Sequence, residues 1–144
     1  MHKIIFSAII LTCSIEAVFA ANDPYVQTIK EMYSLGAKYE DGMKVIELYS
    51  DDSLKQALNV HARNGEVCGF SQDMMWQSQD PEYTRSVKFT KLGQNQVKAS
   101  LSKGQWNQAS TVIYTLKCNG NNCKVSDIQD SGGSVKQNIL RECK

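Results

Sequence analysis

The chain has 144 residues, with 16 Lys and Arg against 15 Asp and Glu, a formal net charge of +1. Such a balance argues against nucleic acid, which rewards a strongly basic face, and equally against an anionic membrane surface. The length suits one domain with a single core, and no repeat, low-complexity run or Pro-rich or Gly/Ser-rich linker divides it.

Residues 1–20 have the layout of a secretory signal peptide. Lys3 gives a small positive start, residues 4–11 are an almost unbroken apolar run, and Val18-Phe19-Ala20 closes it. The expected cut falls after Ala20 or Ala21, which leaves a single domain over 21–144 and a periplasmic address, with secretion as the alternative. A membrane span is not expected, because Glu16 interrupts the run and a spanning helix wants about 20 apolar residues without a charge. Leu11-Thr12-Cys13 offers a second cut, with Cys13 acylated as in a lipoprotein. Thr12 is bulkier than the small residue usual there, and the apolar run continues past it to Phe19.

Asp23-Pro24 opens the mature chain as a helix start, Asp as cap and Pro at the first helical position. Val26, Ile29, Met32 and Tyr33 recur at helical spacing, and Leu35 carries the stripe to Gly36. Glu40-Asp41-Gly42 breaks it, and a short amphipathic piece follows with Val45, Ile46 and Tyr49 on one side. The capping side chains of Ser50-Asp51-Asp52-Ser53 restart a helix through Leu54, Ala57, Leu58 and His61, and Asn64-Gly65 is a plausible stop.

The second half changes period. Val87 and Phe89 alternate with Ser86, Lys88 and Thr90; Val97, Ala99 and Leu101 repeat the pattern; Val112, Tyr114 and Leu116 continue it to Cys118; and residues 124–128 return after a turn. Ser131-Gly132-Gly133 breaks the sheet, and Ser134 caps a last helix through Val135, Ile139 and Leu140. Segregated elements of this kind predict an α+β domain: N-terminal helices packed on a curved antiparallel sheet of about four strands, then a short C-terminal helix.

Five cysteines are present, and Cys13 departs with the signal. An even number in an exported chain reads as a disulfide set, for which three connectivities are open. Cys118 and Cys123 flank Asn119-Gly120-Asn121-Asn122, a strong turn between strand-like runs, which sets them opposite each other across a hairpin. Cys68 and Cys143 then remain as the second pair. A metal or redox role for these residues lacks partners: no Cys-x-x-Cys occurs, and His61 is the only histidine beyond the signal. No metal and no cofactor are expected.

The Tyr-Ser-Asp-Asp-Ser-Leu-Lys-Gln-Ala-Leu step at 49–58, the meander, and the closing 124–128 with Ser134-Val135-Lys136 resemble nuclear-transport-factor-2-like proteins, in particular small exported bacterial ones. The resemblance covers most of 23–143. It implies a cone-shaped sheet that holds a ligand or is filled by side chains, and it implies no activity, since one scaffold hosts many functions.

His61 is the first candidate for a general base, but its place at the edge of an apolar stripe near a helix end suits a packed or capping residue. Asp51 and Asp52 lie at a helix start, where carboxylates cap amides. Asp127 and Asp130 fall near the end of the last strand and would need Asp80 or Glu82 beside them to make an acid/base or calcium site. In 70–83, Met74-Met75-Trp76 sits in a polar stretch without a clean period. Large apolar side chains there either plug the core or stand exposed as an interaction surface, since Met and Trp are adaptable, high-area contact residues. As a surface, Met74, Met75 and Trp76 would be contacts for a protein partner, extended by Trp106 in the turn after Lys103-Gly104.

Three function classes follow. First comes a non-enzymatic periplasmic binding protein acting through a protein–protein surface, most concretely an immunity-type inhibitor that occludes a toxic, envelope-targeting effector enzyme. Second is a small-ligand carrier with an apolar pocket lined from Val87, Phe89, Val112, Tyr114 and Leu116. Third is a hydrolase or isomerase in which His61 and an Asp meet in an open cleft.

Overall fold

A computed structural model describes residues 23–65 and 68–143; the expected signal peptide and Cys13 lie outside the described residues. Helix α1 (Pro24–Tyr39) begins where Asp23 accepts from the Tyr25 and Val26 amides at 2.9 and 3.1 Å, while Pro24 brings no N–H to the unpaired first turn. Glu40 ends it in the left-handed region at φ 52°. Asp41 then caps α2 (Gly42–Tyr49) and Asp51 caps α3 (Asp52–Asn64). Lys117 bonds Asp51 at 2.9 Å. Lost hydration pushes the Asp51 carboxyl up, but the Lys117 bond and the Leu54 amide outweigh it and hold the group below its usual range.

Five antiparallel strands follow in the order β1 (Val87–Leu92), β2 (Gln96–Leu101), β3 (Ser110–Asn119), β4 (Asn122–Asp130) and β5 (Gly133–Ser134). Helix α4 (Val135–Glu142), capped by Ser134, closes the chain. The sheet thus has five strands rather than about four. β5 is two residues long and pairs only with Gln129 and Asp130, too short to show a period of two in a segment that reads as a break.

The alternation places Val97, Ala99, Leu101, Val112, Tyr114 and Leu116 in the core. A bulge between Thr115 and Leu116 in the register with β4 shifts the phase there. Val125 and Ile128 therefore both point inward, and Ser126 between them is buried and bonds the Thr115 carbonyl at 3.2 Å. Helix α1 lies across β1 to β4, latched at its start by Lys91, which pairs with Asp23 at 3.3 Å and lies 3.2 Å from the Tyr25 ring centroid. Disulfides join Cys118 to Cys123 across the β3–β4 hairpin and Cys68 to Cys143 at the end of α4, with Cα separations of 4.0 and 5.2 Å. Among the described residues no helix is long and apolar enough to cross a membrane.

Candidate functional site

Residues 68–86, ahead of β1, have little regular structure, and they build the site. Asp73 organises its first turn: Oδ1 accepts from the Met75 and Trp76 amides, both at 2.8 Å, while the Asp73 amide bonds the Ser78 carbonyl at 3.0 Å. The turn sends three large side chains inward. Met74, Met75 and Trp76 are 1%, 0% and 2% exposed, so they are core residues and not partner contacts. The physical reason is space. Gly36 on α1 leaves room for Met75 and Trp76, since a Cβ there would approach Met75 Cε to 3.3 Å and Trp76 Nε1 to 3.5 Å. The Trp76 ring then packs edge-on between Tyr33 and Tyr83, at 5.3 and 5.4 Å.

Below Trp76 the chain returns toward β1 and places Arg85 in the interior, 7% exposed. Its guanidinium donates to the carbonyls of Trp76 (3.0 Å), Ser102 (2.8 Å) and Gln108 (2.6 Å) and to Ser110 Oγ at 3.3 Å. No carboxylate lies within ion-pair distance of it among the described residues. Ser102 follows β2 and Gln108 precedes β3, so one planar fork clamps both ends of the loop joining them.

Glu82, three residues earlier, holds the tip of the same loop. Its Oε1 accepts from the amides of Gln105 (2.6 Å) and Trp106 (3.1 Å); Oε2 accepts from the Asn107 amide and Asn107 Nδ2, both at 2.9 Å. Asn107 Nδ2 also reaches the Asp80 carbonyl at 3.1 Å, and the Gly104 amide closes on Asn107 O at 2.9 Å. Lost hydration pushes the Glu82 carboxyl up, but the Asn107 side chain and three backbone N–H groups outweigh it and hold it below the ordinary glutamate value. Trp106 itself is 76% exposed, the most exposed large apolar side chain among the described residues. An indole in water thus rides on a loop braced at base and tip.

The other expected constellations are not assembled. His61 is buried: its ring stacks on Phe70 at 3.8 Å, and Nδ1 donates to the Cys68 carbonyl at 2.6 Å, with no hydrogen bond to a carboxylate among the described residues. Asp127 binds Ser134 Oγ at 2.6 Å and the Lys136 amide at 3.3 Å, and Asp130 binds the Gly132 amide at 2.7 Å. No hydrogen bond joins these two to Asp80 or Glu82, which serve the tryptophan loop.

The sheet face expected to line a ligand carrier's pocket packs against α1. Val112, Tyr114 and Leu116 are buried, and Tyr33 inserts among them, its hydroxyl 3.0 Å from that of Tyr114 and its ring 5.3 Å from Phe89. Val87 and Phe89 pack half-buried against the same core. Burial pushes the Tyr33 and Tyr114 hydroxyls well above the ordinary tyrosine value. A groove of about 810 Å³ does exist, but among the helices, bounded by Leu35, Tyr39, Val45 and Leu48 with Lys44 and Lys55 on its sides.

In sequence Arg85 does not stand out, and Glu82 does so only as a partner for Asp127 or Asp130; the clamp they form is not legible there because most of their partners are backbone atoms some 20 residues away. No protein-family profile, curated protein or solved structure matches the chain. The fold and site define an α+β domain with two disulfides and a rigidly presented surface tryptophan.

Proposed function

We propose that this chain is a non-enzymatic binding protein of the periplasm that recognises a protein partner through the Trp106 loop. In its most concrete form it is an immunity-type inhibitor that occludes a toxic, envelope-targeting effector enzyme. The observation that carries this reading is the exposed indole on a loop already ordered by Glu82 and Arg85. Tryptophan is enriched at interface hot spots, and an anchor held in its bound conformation avoids the entropy of ordering a loop on binding. Export is supported by the signal-like layout of 1–20 and by both disulfides. Kinship with nuclear-transport-factor-2-like proteins belongs to the same proposal, supported by helices followed by an antiparallel meander.

The test is capture of the oxidised protein's partner from periplasmic extract, followed by inhibition of the purified partner. Trp106→Ala is expected to weaken binding by about 100-fold and to leave folding stability within about 0.5 kcal/mol of the parent. Undiminished binding and inhibition by Trp106→Ala would overturn the role of the loop. The helical groove favours a second reading as a small-ligand carrier, with its site at Leu35, Tyr39 and Leu48 instead of in the sheet.

A further inference from the structure

We propose that His61, Cys68 and Cys143 form a latent binding site for a thiophilic divalent cation such as zinc, closed while the disulfide is intact and opened by its reduction. In sequence His61 has no metal-binding company. The fold supplies it by bringing together the last turn of α3, the segment that follows, and the C-cap of α4. A ring nitrogen of His61 and the two sulfurs all lie within 4.8 Å of one another, the compass of one tetrahedral site.

The ring's tautomer and plane are also set before any ion arrives, leaving Nε2 as the nitrogen free to ligate. A carbonyl can only accept, so the 2.6 Å bond to Cys68 O puts the proton on Nδ1 and the lone pair on Nε2. Stacking on Phe70 at 3.8 Å fixes the ring plane. Metal-binding histidines are commonly held by such a bond from the second nitrogen to a backbone carbonyl.

In the disulfide the sulfurs are not thiolates, and the site is silent. A trialkylphosphine opens it by taking the oxygen of one water to become the phosphine oxide, while the disulfide receives two electrons and two protons to give two thiols. The cation then displaces both thiol protons and binds two thiolates and one imidazole, with water as the fourth ligand. The ion would hold the end of α4 to Cys68 as the disulfide does, closing the same separation of 75 residues, and would tie both to α3 through His61.

The test is cobalt(II) titration, without oxygen, of the full chain in which Cys13, Cys118 and Cys123 are changed to Ser so that no other thiol competes. After phosphine reduction the expected result is a one-to-one complex with sulfur-to-cobalt charge-transfer absorption and tetrahedral d–d bands, absent from the oxidised sample. His61→Asn, which keeps a donor for the Cys68 carbonyl, should weaken binding by about tenfold or more. Absence of charge-transfer bands, equal binding by His61→Asn, or the same bands in oxidised protein would each overturn the proposal. If the reduced chain unfolds, recovery of its circular dichroism on adding metal supports the site, and failure to recover overturns it.

Discussion

Replacing Arg85 by Met keeps an unbranched apolar stem about as long as that of Arg, removes the guanidinium and deletes every donor. Four hydrogen bonds disappear, three of them to the carbonyls of Trp76, Ser102 and Gln108. Each buried carbonyl left without a partner costs about 1–3 kcal/mol. Part of this is returned, because the variant no longer buries a charge without a counter-ion, and such a charge carries a penalty of several kcal/mol in the parent. If water re-solvates the carbonyls nearest the surface, the net loss is about 2–4 kcal/mol. At roughly 4 °C per kcal/mol for a domain of this size, the midpoint falls by about 8–16 °C. Thermal and urea unfolding of the oxidised protein measure both quantities. Arg85→Lys should recover little, since one ammonium cannot span carbonyls at both ends of a loop. A variant Arg85→Met as stable as the parent would refute the reasoning, showing the guanidinium to be tolerated rather than a clamp.

A Cβ at Gly104 would meet the Glu82 carboxyl carbon at 2.7 Å. Gly104→Ala should therefore push the carboxylate off its amide partners, raising proteolysis within 103–107 and lowering partner affinity by about tenfold through lost preorganisation. Because the Glu82 carboxyl is held below its ordinary value of 4.5, its contribution is complete above that pH and is lost as pH falls through the lower folded-state value. Protection of the Gln105, Trp106 and Asn107 amides, taken relative to their intrinsic exchange rates, should accordingly fall on acidification below pH 4.5 in the parent, and Glu82→Gln should have lost it already at neutral pH. In the chain-entropy account, closing a separation of 75 residues is worth about 4 kcal/mol and closing one of 5 about 2 kcal/mol. Denaturant titration should thus find Cys68→Ala/Cys143→Ala roughly twice as damaging as Cys118→Ala/Cys123→Ala.

Much of the frame was legible because its signals are local. Asp23-Pro24, Asp51 and Ser134 cap helices within three residues of themselves, and Asn119-Gly120-Asn121-Asn122 turns a hairpin whose two cysteines face each other. The alternation of Val97, Ala99 and Leu101 with polar residues reports one buried face. The site was much less legible. Met74, Met75 and Trp76 lie among polar residues, and what buries Met75 and Trp76 includes Gly36, on a helix some 40 positions away. Glu82 and Arg85 look like solvated charges until β2 and β3 bring a loop of backbone donors and acceptors against them.

By itself, then, the sequence determined what depends on neighbours along the chain: the helix caps, the strand faces, the hairpin and its bridge, and an export-like start. Tertiary structure alone decided which of two tryptophans is core and which is surface, that Tyr33 packs onto the sheet beside Tyr114, and that His61 meets the Cys68–Cys143 bridge. Burial and long-range pairing are set by the competing volumes and polar groups of distant elements, and no window of sequence contains both sides of that competition.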